Sequence, residues 1–414
     1  MSDSKKKVPK RRFEEFSNAN DWEQRKFTDV LDRVNLVSNS NKIPKVEFED
    51  IVAGEGRLNK DISEKLDNRK GTLFHPNSIL YGKLRPYLQN WLQPTFKGIA
   101  LGDFWVFEAK DTDAKFDYFL IQADKYQRIA NDTSGTKMPR SDWRLVSNSF
   151  FSIPKKEEQQ KIGTFFQQLD DTIALHQRKL EKIKALKTAY LSEMFPAEGE
   201  SKPKRRFAGF TDEWEQRNLM SVFEFPVSTN SLSRSQLNYD NGEIKSVHYG
   251  DILVNYDSIL EIAKDRIPFI TNGVIDKYKP NLLENGDLIF ADAAEDETVG
   301  KAVEVGGKTN EYIVAGLHTI VARPRRKMAK FFWGYYINSS IYHNQLLRLM
   351  QGTKVASISK SNLQKTYVTY PDNFVEQQKI GAFFKQLDNT IALHQRKLKK
   401  LQNIKKAYLN EMFI

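Results

Sequence analysis

The chain has 414 residues, of which 40% are hydrophobic, 12% aromatic and 28% charged, with a formal net charge of +11. That composition supports two ordinary globular domains with their own cores, and its charge favours a polyanionic partner. The complete lack of cysteine excludes disulfides, thiolate metal sites and thiol catalysis, and is compatible with a reducing cytoplasm.

The first residues, MSDSKKKVPKRR, contain no apolar segment of the secretory type. No apolar run approaches the roughly 18–20 residues of a membrane span. A cytoplasmic location away from membranes is expected. A leader follows, with KRRF at 10–13 and WEQR at 22–25, and both motifs return at 204–207 and 214–217. Recurrence of the basic cluster, as KPKRR at 202–206, favours a structural or phosphate-contacting role over a nuclear address.

The first body reads as mixed α and β. Segments 78–84 (SILYGKL) and 100–107 (ALGDFWVF) predict strands, 117–130 a helix, and 148–153 a closing strand before Pro154. After the helix comes the triplet Gly135, Thr136, Lys137. Glycine permits close backbone approach, threonine offers a hydroxyl, and lysine neutralises a phosphate. Lys83, Arg85, Arg140 and Arg144 add charge, with Tyr87, Trp91 and Trp143 interleaved, as on a nucleic-acid face. A solvated basic loop is the plainer reading of any one of these residues.

Residues 158–195 then carry a sustained heptad seam, Ile162, Phe166, Leu169, Ile173, His176, Leu180, Ile183, Lys187, Tyr190 and Met194. About 36 residues at roughly 1.5 Å each make a rod of about 54 Å. Gly163 interrupts the helix at a cost of about 1 kcal/mol. A second apolar set lies off the seam at Phe165, Leu175, Leu186, Leu191 and Phe195. It either packs on the bodies or docks partner helices. His176 reads as a polar register-setting residue, since a metal would need more ligands than the sequence supplies.

The second body repeats the plan, with strands at 286–290 and 316–322, a helix at 329–349, and a closing strand at 365–370 before Pro371. Its triplet is Gly352, Thr353, Lys354, with Lys360 and Lys365 nearby. Arg323, Arg325, Arg326 and Lys327 follow a strand, as Lys83 and Arg85 do in the first body. Residues 376–413 repeat the helix almost letter for letter. The seam becomes Ile380, Phe384, Leu387, Ile391, His394, Leu398, Leu401, Lys405, Tyr408 and Met412. The off-seam set becomes Phe383, Leu393, Ile404, Leu409 and Phe413, so a partner held there would bind twice.

The expected fold is α+β. Two globular α/β bodies are separated by two long antiparallel coiled-coil helices in a cyclic, pseudo-two-fold arrangement. The segments are 1–156 for leader and first body, 157–196 for the first helix, 197–206 for a basic linker, 207–374 for the second body and 375–414 for the second helix. Catalytic constellations are few. No Pro-Pro occurs, as an [ND]PP[YF] methyltransferase motif requires, and GGKT at 306–309 lacks the first glycine of a P-loop. The EIK and EAK triplets at 243–245 and 108–110 have no preceding Pro-Asp, and the acidic stretch 292–297 reads as a loop before it reads as a cation site. A non-enzymatic chain is expected, with no catalytic residue and no metal.

The helix EQQKIG…FF.QLD.TIALHQRKL, following an SGTK or QGTK loop and a proline twice per chain, resembles specificity subunits of type I restriction–modification systems. So does the F..F….WEQR leader, and the resemblance covers essentially the whole chain. It implies that the bodies are target recognition domains, each reading half of an asymmetric bipartite site in double-stranded DNA. The helices would be a ruler for the spacer, and heads about 54 Å or less apart suit half-sites spaced by about 34 Å, one turn of B-DNA. Two modification subunits would dock on the helices and methylate adenine N6 with S-adenosylmethionine. Restriction subunits would add ATP- and Mg-driven translocation and cleavage, so this chain needs no cofactor. A stand-alone DNA-binding regulator would instead bind tightly without partners. A coiled-coil adaptor would show no DNA affinity and no salt dependence.

Overall fold

The structure, a computed structural model, describes residues 8–133, 137–352 and 355–414. It divides into two compact units. One contains the chain up to Lys179 together with its last segment from His394; the other is Leu180–Leu393.

In the first unit strand Phe104–Ala109, whose first four residues are a continuous buried apolar run, lies inside a four-stranded sheet. Its order is Leu31–Val34, Phe104–Ala109, Ile79–Gly82, Trp91–Leu92. A second sheet runs Val37–Ser38, Gly71–Phe74, Gly98–Ala100, Lys45–Val46, and only its last pair is parallel. In the second unit the matching sheet is Phe223–Glu224, Thr319–Pro324, Leu288–Ala291, Ala302–Gly306, Ile259–Glu261. The strand registers coincide: Gly82 faces Phe104 as Ala291 faces Thr319. The second sheets differ in one respect. The earlier member of the parallel pair, Lys45–Val46, lies at the edge in the first unit, whereas its counterpart Ile244–Val247 lies inside in the second.

The WEQR leaders become strands. Glu23–Lys26 pairs antiparallel with the closing strand Phe150–Ile153, and Glu215–Asn218 pairs with Tyr367–Tyr370. Each expected body helix is two helices. Ala114–Leu120 is followed by Asp124–Ala130, and Phe332–Ile337 by Ser340–Leu347. The break in the second body has a local cause: Ser339 is extended and its hydroxyl accepts the Tyr342 N–H, starting a new helix.

The repeated segments are helices Lys156–Glu193 and Phe374–Met412. Within each unit their ends pair antiparallel. In the first, Phe165 meets Tyr408 at 5.4 Å between rings, and Lys405 bonds Asp170 at 2.8 Å. In the second the repeat equivalents do the same: Tyr190 meets Phe383 at 5.3 Å, and Lys187 bonds Asp388. The seam lysines therefore do not interrupt the packing, because each neutralises an aspartate on the opposite helix. Ile162, Phe166, Leu180, Ile380 and Phe384 are buried; Leu169, Ile173, Leu387, Ile391 and Leu398 are partly covered. His176 and His394 approach to 3.0 Å between Nδ1 atoms, so one ring donates and the other accepts. Burial lowers the pKa of His176, and His394 and nearby lysines add to that.

Each KRRF leader clamps both helix ends of its unit. Arg12 forks onto Glu158 through two 2.7 Å bonds while Arg11 reaches Glu411 at 2.6 Å. Arg206 forks onto Glu376 and Arg205 reaches Glu193 in the same way. Phe13 packs edge-on against Phe165, and Phe207 against Phe383. These arginines are thus committed to carboxylates rather than to phosphate. The helix glycines also have a reason beyond tolerance. A Cβ on Gly163 would sit 2.9 Å from the Phe116 nitrogen, and one on Gly381 would sit 2.5 Å from the Lys330 oxygen. Each body helix thus begins in direct contact with a long helix.

Candidate nucleic-acid interface

The first body presents a basic edge where strand Ile79–Gly82 ends. Lys83 N–H donates to the Asp103 oxygen at 2.9 Å, Ser141 N–H to the Lys83 oxygen at 2.9 Å, and Arg85 N–H to the Pro139 oxygen at 2.7 Å. Leu84 bridges Arg140. The strand extension is thereby stitched to the segment that follows the GTK triplet. Lys137 is exposed there; Gly135 and Thr136 lie outside the described residues. Asp103 faces two cations, Lys83 at 3.6 Å and Arg140 at 3.1 Å, which leaves the edge positive. Arg85 adopts a left-handed backbone (φ 49°) immediately before Pro86, and its side chain is exposed beside exposed Tyr87. Arg144 is exposed on the short helix Trp143–Asn148, whose N-terminus is capped by Asp142.

The aromatic interleaving expected here is thinner than the sequence suggested. Trp91 is buried, and Trp143 stacks on Phe107 with the Arg33 guanidinium 5.0 Å from its ring. These rings complete the core because the sheet's face behind them is apolar, so only Tyr87 remains exposed on the basic edge.

In the second body the matching edge is a different set of residues from the one expected. Register equates Lys83 with Asp292, and Asp103 with His318. The backbone bond is kept, Asp292 N–H donating to the His318 oxygen at 3.0 Å, and so is the pairing with the segment after the GTK triplet, where Ala293 faces Ser357 and Ala294 faces Ala356. Gly352 has φ 104°, and a Cβ there would meet the Val355 oxygen at 2.1 Å, so the turn requires glycine. Thr353 and Lys354 lie outside the described residues.

Arg323 sits at the other end of strand Thr319–Pro324, roughly 17 Å from His318 at about 3.4 Å per residue, and Arg325 lies just beyond that end. Arg323 forks onto buried Asp287 with two 2.8 Å bonds, and those bonds raise its pKa further. Arg325 donates to the Met220 oxygen and Arg326 to Asp372. Lys360 donates to the Phe225 oxygen at 3.1 Å, its ammonium over the Phe225 ring. The expectation that Arg323 matches Lys83 is therefore corrected: these cations anchor the sheet to its flanking loops. Sequence offered one signal for the true match, the order of strands, and charge similarity obscured it.

The off-seam set divides. Phe165 and Phe383 are covered by the leader phenylalanines and by Tyr408 and Tyr190, Leu409 is buried, and Leu191 packs on the second unit's core. These four thus have packing partners within their own units. Leu175, Leu186 and Leu393 remain exposed at 43%, 37% and 42%, and Ile404 is half-buried.

Comparison with known proteins gives this frame a family. The family described as type I restriction modification DNA specificity domain matches residues 19–185 and 211–403, one copy in each half. The chain belongs to the type I restriction–modification specificity family. It resembles the type I restriction enzyme MjaVIII specificity subunit of Methanocaldococcus jannaschii at 22% identity, over 71% of this chain and 68% of that one. Its fold matches the S subunit of a type I restriction–modification system from M. genitalium at TM-score 0.61, 14% identity and 98% and 99% coverage. A chain solved in a study of complex assembly and conformational transition of the type I R-M system matches at TM-score 0.52, 18% identity and 94% and 96% coverage. The α+β specificity-subunit fold, the duplicated domains and a role in DNA sequence recognition follow for this chain. Among the described residues no group of three or more His, Asp or Glu side chains is placed to hold a metal, and no helix is long and apolar enough to cross a membrane.

Proposed function

We propose that each body reads one half of an asymmetric bipartite site in double-stranded DNA, that the helices set the spacer and dock two modification subunits, and that this chain is itself non-catalytic. Adenine N6 methylation with S-adenosylmethionine belongs, in this reading, to the modification subunits. Translocation and cleavage with ATP and Mg belong to the restriction subunits, and the assembly works in the cytoplasm. Lys83, Arg85, Lys137, Arg140 and Arg144 are the first body's DNA-facing candidates. Leu175, Leu186, Leu393 and Ile404 are the candidates for modification-subunit contact.

The observation that carries this reading is the contrast between frame and edge. Clamp, strand register and helix pairing repeat residue for residue in the two units, while the edges beside the GTK triplets carry opposite charge. The test is to supply the chain with its modification subunits and map methylated adenines genome-wide. The chain alone should methylate nothing, and the complex should methylate a split site. Exchanging 207–373 for the matching body of another specificity subunit should change one half-site only. A change in both halves would refute the division of labour.

A further inference from the structure

We propose that Asp292 and His318 form the base-reading pair of the second body, and that they recognise an exocyclic amino group, of cytosine or adenine, in the major groove. This rests on the reading of the chain as a DNA specificity subunit. Four observations lead to it.

The first is positional. Lys83 and Asp292 are the first residues beyond register-matched strands, each hydrogen-bonded through its backbone to the residue that precedes the neighbouring strand. Each extension then pairs with the segment following a GTK triplet. The two bodies thus hold one structural slot in common.

The second is chemical. In the first body the slot holds Lys83 against Asp103, with Arg140 on the same carboxylate and Arg85 exposed beside them. In the second the polarity is reversed: Asp292 takes the lysine's place and His318 the aspartate's, their side chains 3.2 Å apart. A donor-rich slot matches the N7 and O6 acceptors of guanine. A carboxylate is acceptor-only and matches an amino group.

The third is orientation. The His318 ring is wedged edge-on against Tyr249 at 5.2 Å, which itself lies against His248 at 4.7 Å. With Nδ1–H donated to Asp292 Oδ1, His318 Nε2 is left as an acceptor. Asp292 Oδ2 has no hydrogen-bond donor among the described residues. The pair therefore offers two acceptors, on a ring braced by Tyr249 on one side and by Asp292 at Nδ1. His318 sits in the left-handed region (φ 55°), which lifts it out of the strand path.

The fourth is energetic. A carboxylate is repelled by the DNA backbone, and burial already raises the pKa of Asp292. Closing DNA over it strands a half-desolvated charge unless an N–H donor is supplied. A wrong base, which supplies none, is rejected for that reason.

The experiment uses the full chain assembled with its modification subunits. Binding is measured on duplexes carrying the mapped site, in which each cytosine or adenine of the second half-site is replaced, one at a time, by its analogue lacking the amino group (pyrimidin-2-one or purine). The wild-type complex should lose roughly 5- to 150-fold at one position, the range for one good base contact. Asp292→Ala should lose affinity for the natural site and show no further loss at that position, and methylation should spread to sites with other bases there. The first half-site should stay unchanged. Asp292→Asn keeps the side-chain volume and guards against misfolding; it should relax the same position. Loss at the analogue position that persists in both variants, or relaxation in the first half-site, overturns the proposal while leaving the specificity-subunit reading intact. A wild-type complex that methylates no split site would overturn that reading instead.

Discussion

Replacing Glu304 by glutamine isolates one buried charge and makes its contribution to stability measurable. Glu304 lies on strand Ala302–Gly306 and is 3% exposed. Its two oxygens accept the Phe331 N–H at 2.6 Å and the Gly334 N–H at 2.9 Å, fixing the left-handed Phe331 turn (φ 73°) that opens the helix Phe332–Ile337. Burial raises its pKa from 4.5 to about 7. The unfolded chain then releases the proton near pH 4.5, whereas the folded chain holds it until about pH 7. Stability from this group is fully present below pH 4.5 and is lost as pH rises through 7. At about 1.36 kcal/mol per pH unit, the loss amounts to about 3 kcal/mol. Glutamine does not titrate, but its NH2 would face a backbone donor and forfeit one hydrogen bond, about 1–3 kcal/mol at every pH. The Glu304→Gln chain should therefore be the less stable one at pH 5, with the gap closing by pH 8. Urea denaturation of both chains across that range, followed by far-UV circular dichroism, reads the difference. A gap that stays constant with pH would refute the buried-charge argument. The first body provides an internal contrast: register matches Glu304 with neutral Gln93, which donates to the Ala114 oxygen at the start of its own helix.

Arg12→Ala or Arg206→Ala should each cost about 3–5 kcal/mol, because a buried glutamate is left unpaired; Arg11→Ala, at a solvent-screened pair, should leave the melting temperature almost unmoved. Thermal melting of the full chain separates the two outcomes. Gly163→Ala and Gly381→Ala should lower the unfolding free energy by about 1–3 kcal/mol, and with it the denaturation midpoint, despite the better helix propensity of alanine, since the added carbon meets backbone at under 3 Å. An upward shift would show that the body helices can back away. A double-mutant cycle on Asp170 and Lys405 should give a coupling energy above about 1 kcal/mol, and one near zero would mean that the seam lysine is neutralised elsewhere.

The long helices, the leaders and the duplicated plan were legible because their residues repeat and because heptad spacing has a single physical solution. What the sequence concealed was of three kinds. The 117–130 and 329–349 segments look like single helices by periodicity, yet Ser339 offers its hydroxyl to the backbone and splits the second one. The leader cations resemble a phosphate site until Glu158 and Glu376, far along the chain, are brought beside them. Arg323 resembles a partner for Lys83 because both are basic and follow strands, but sheet register ties it to Asp287. The first of these has a local cause that periodicity does not show; the other two treat charge as local when the deciding neighbour is distant. Within the expected interface, Lys83 and Arg140 do converge on Asp103, with the Arg85 backbone bonded to Pro139; no periodicity argument could have supplied that aspartate's role.

The double clamp of each leader has a consequence for how such chains can be rearranged. Arg11 N–H donates to the Glu411 oxygen, so the first leader is fastened to the end of the second long helix, just as Arg205 N–H is fastened to Glu193 in the middle of the chain. The junction that exists covalently between helix and leader in one unit is reproduced without a peptide bond in the other. A gene cut within 197–204 and rejoined from Ile414 to the start of the leader would encode the two bodies in reverse order with every ion pair and strand partner kept. The amino-acid repeats at both junctions, the KRRF leaders and the long-helix segments, also allow one body to be exchanged with its clamp left complete.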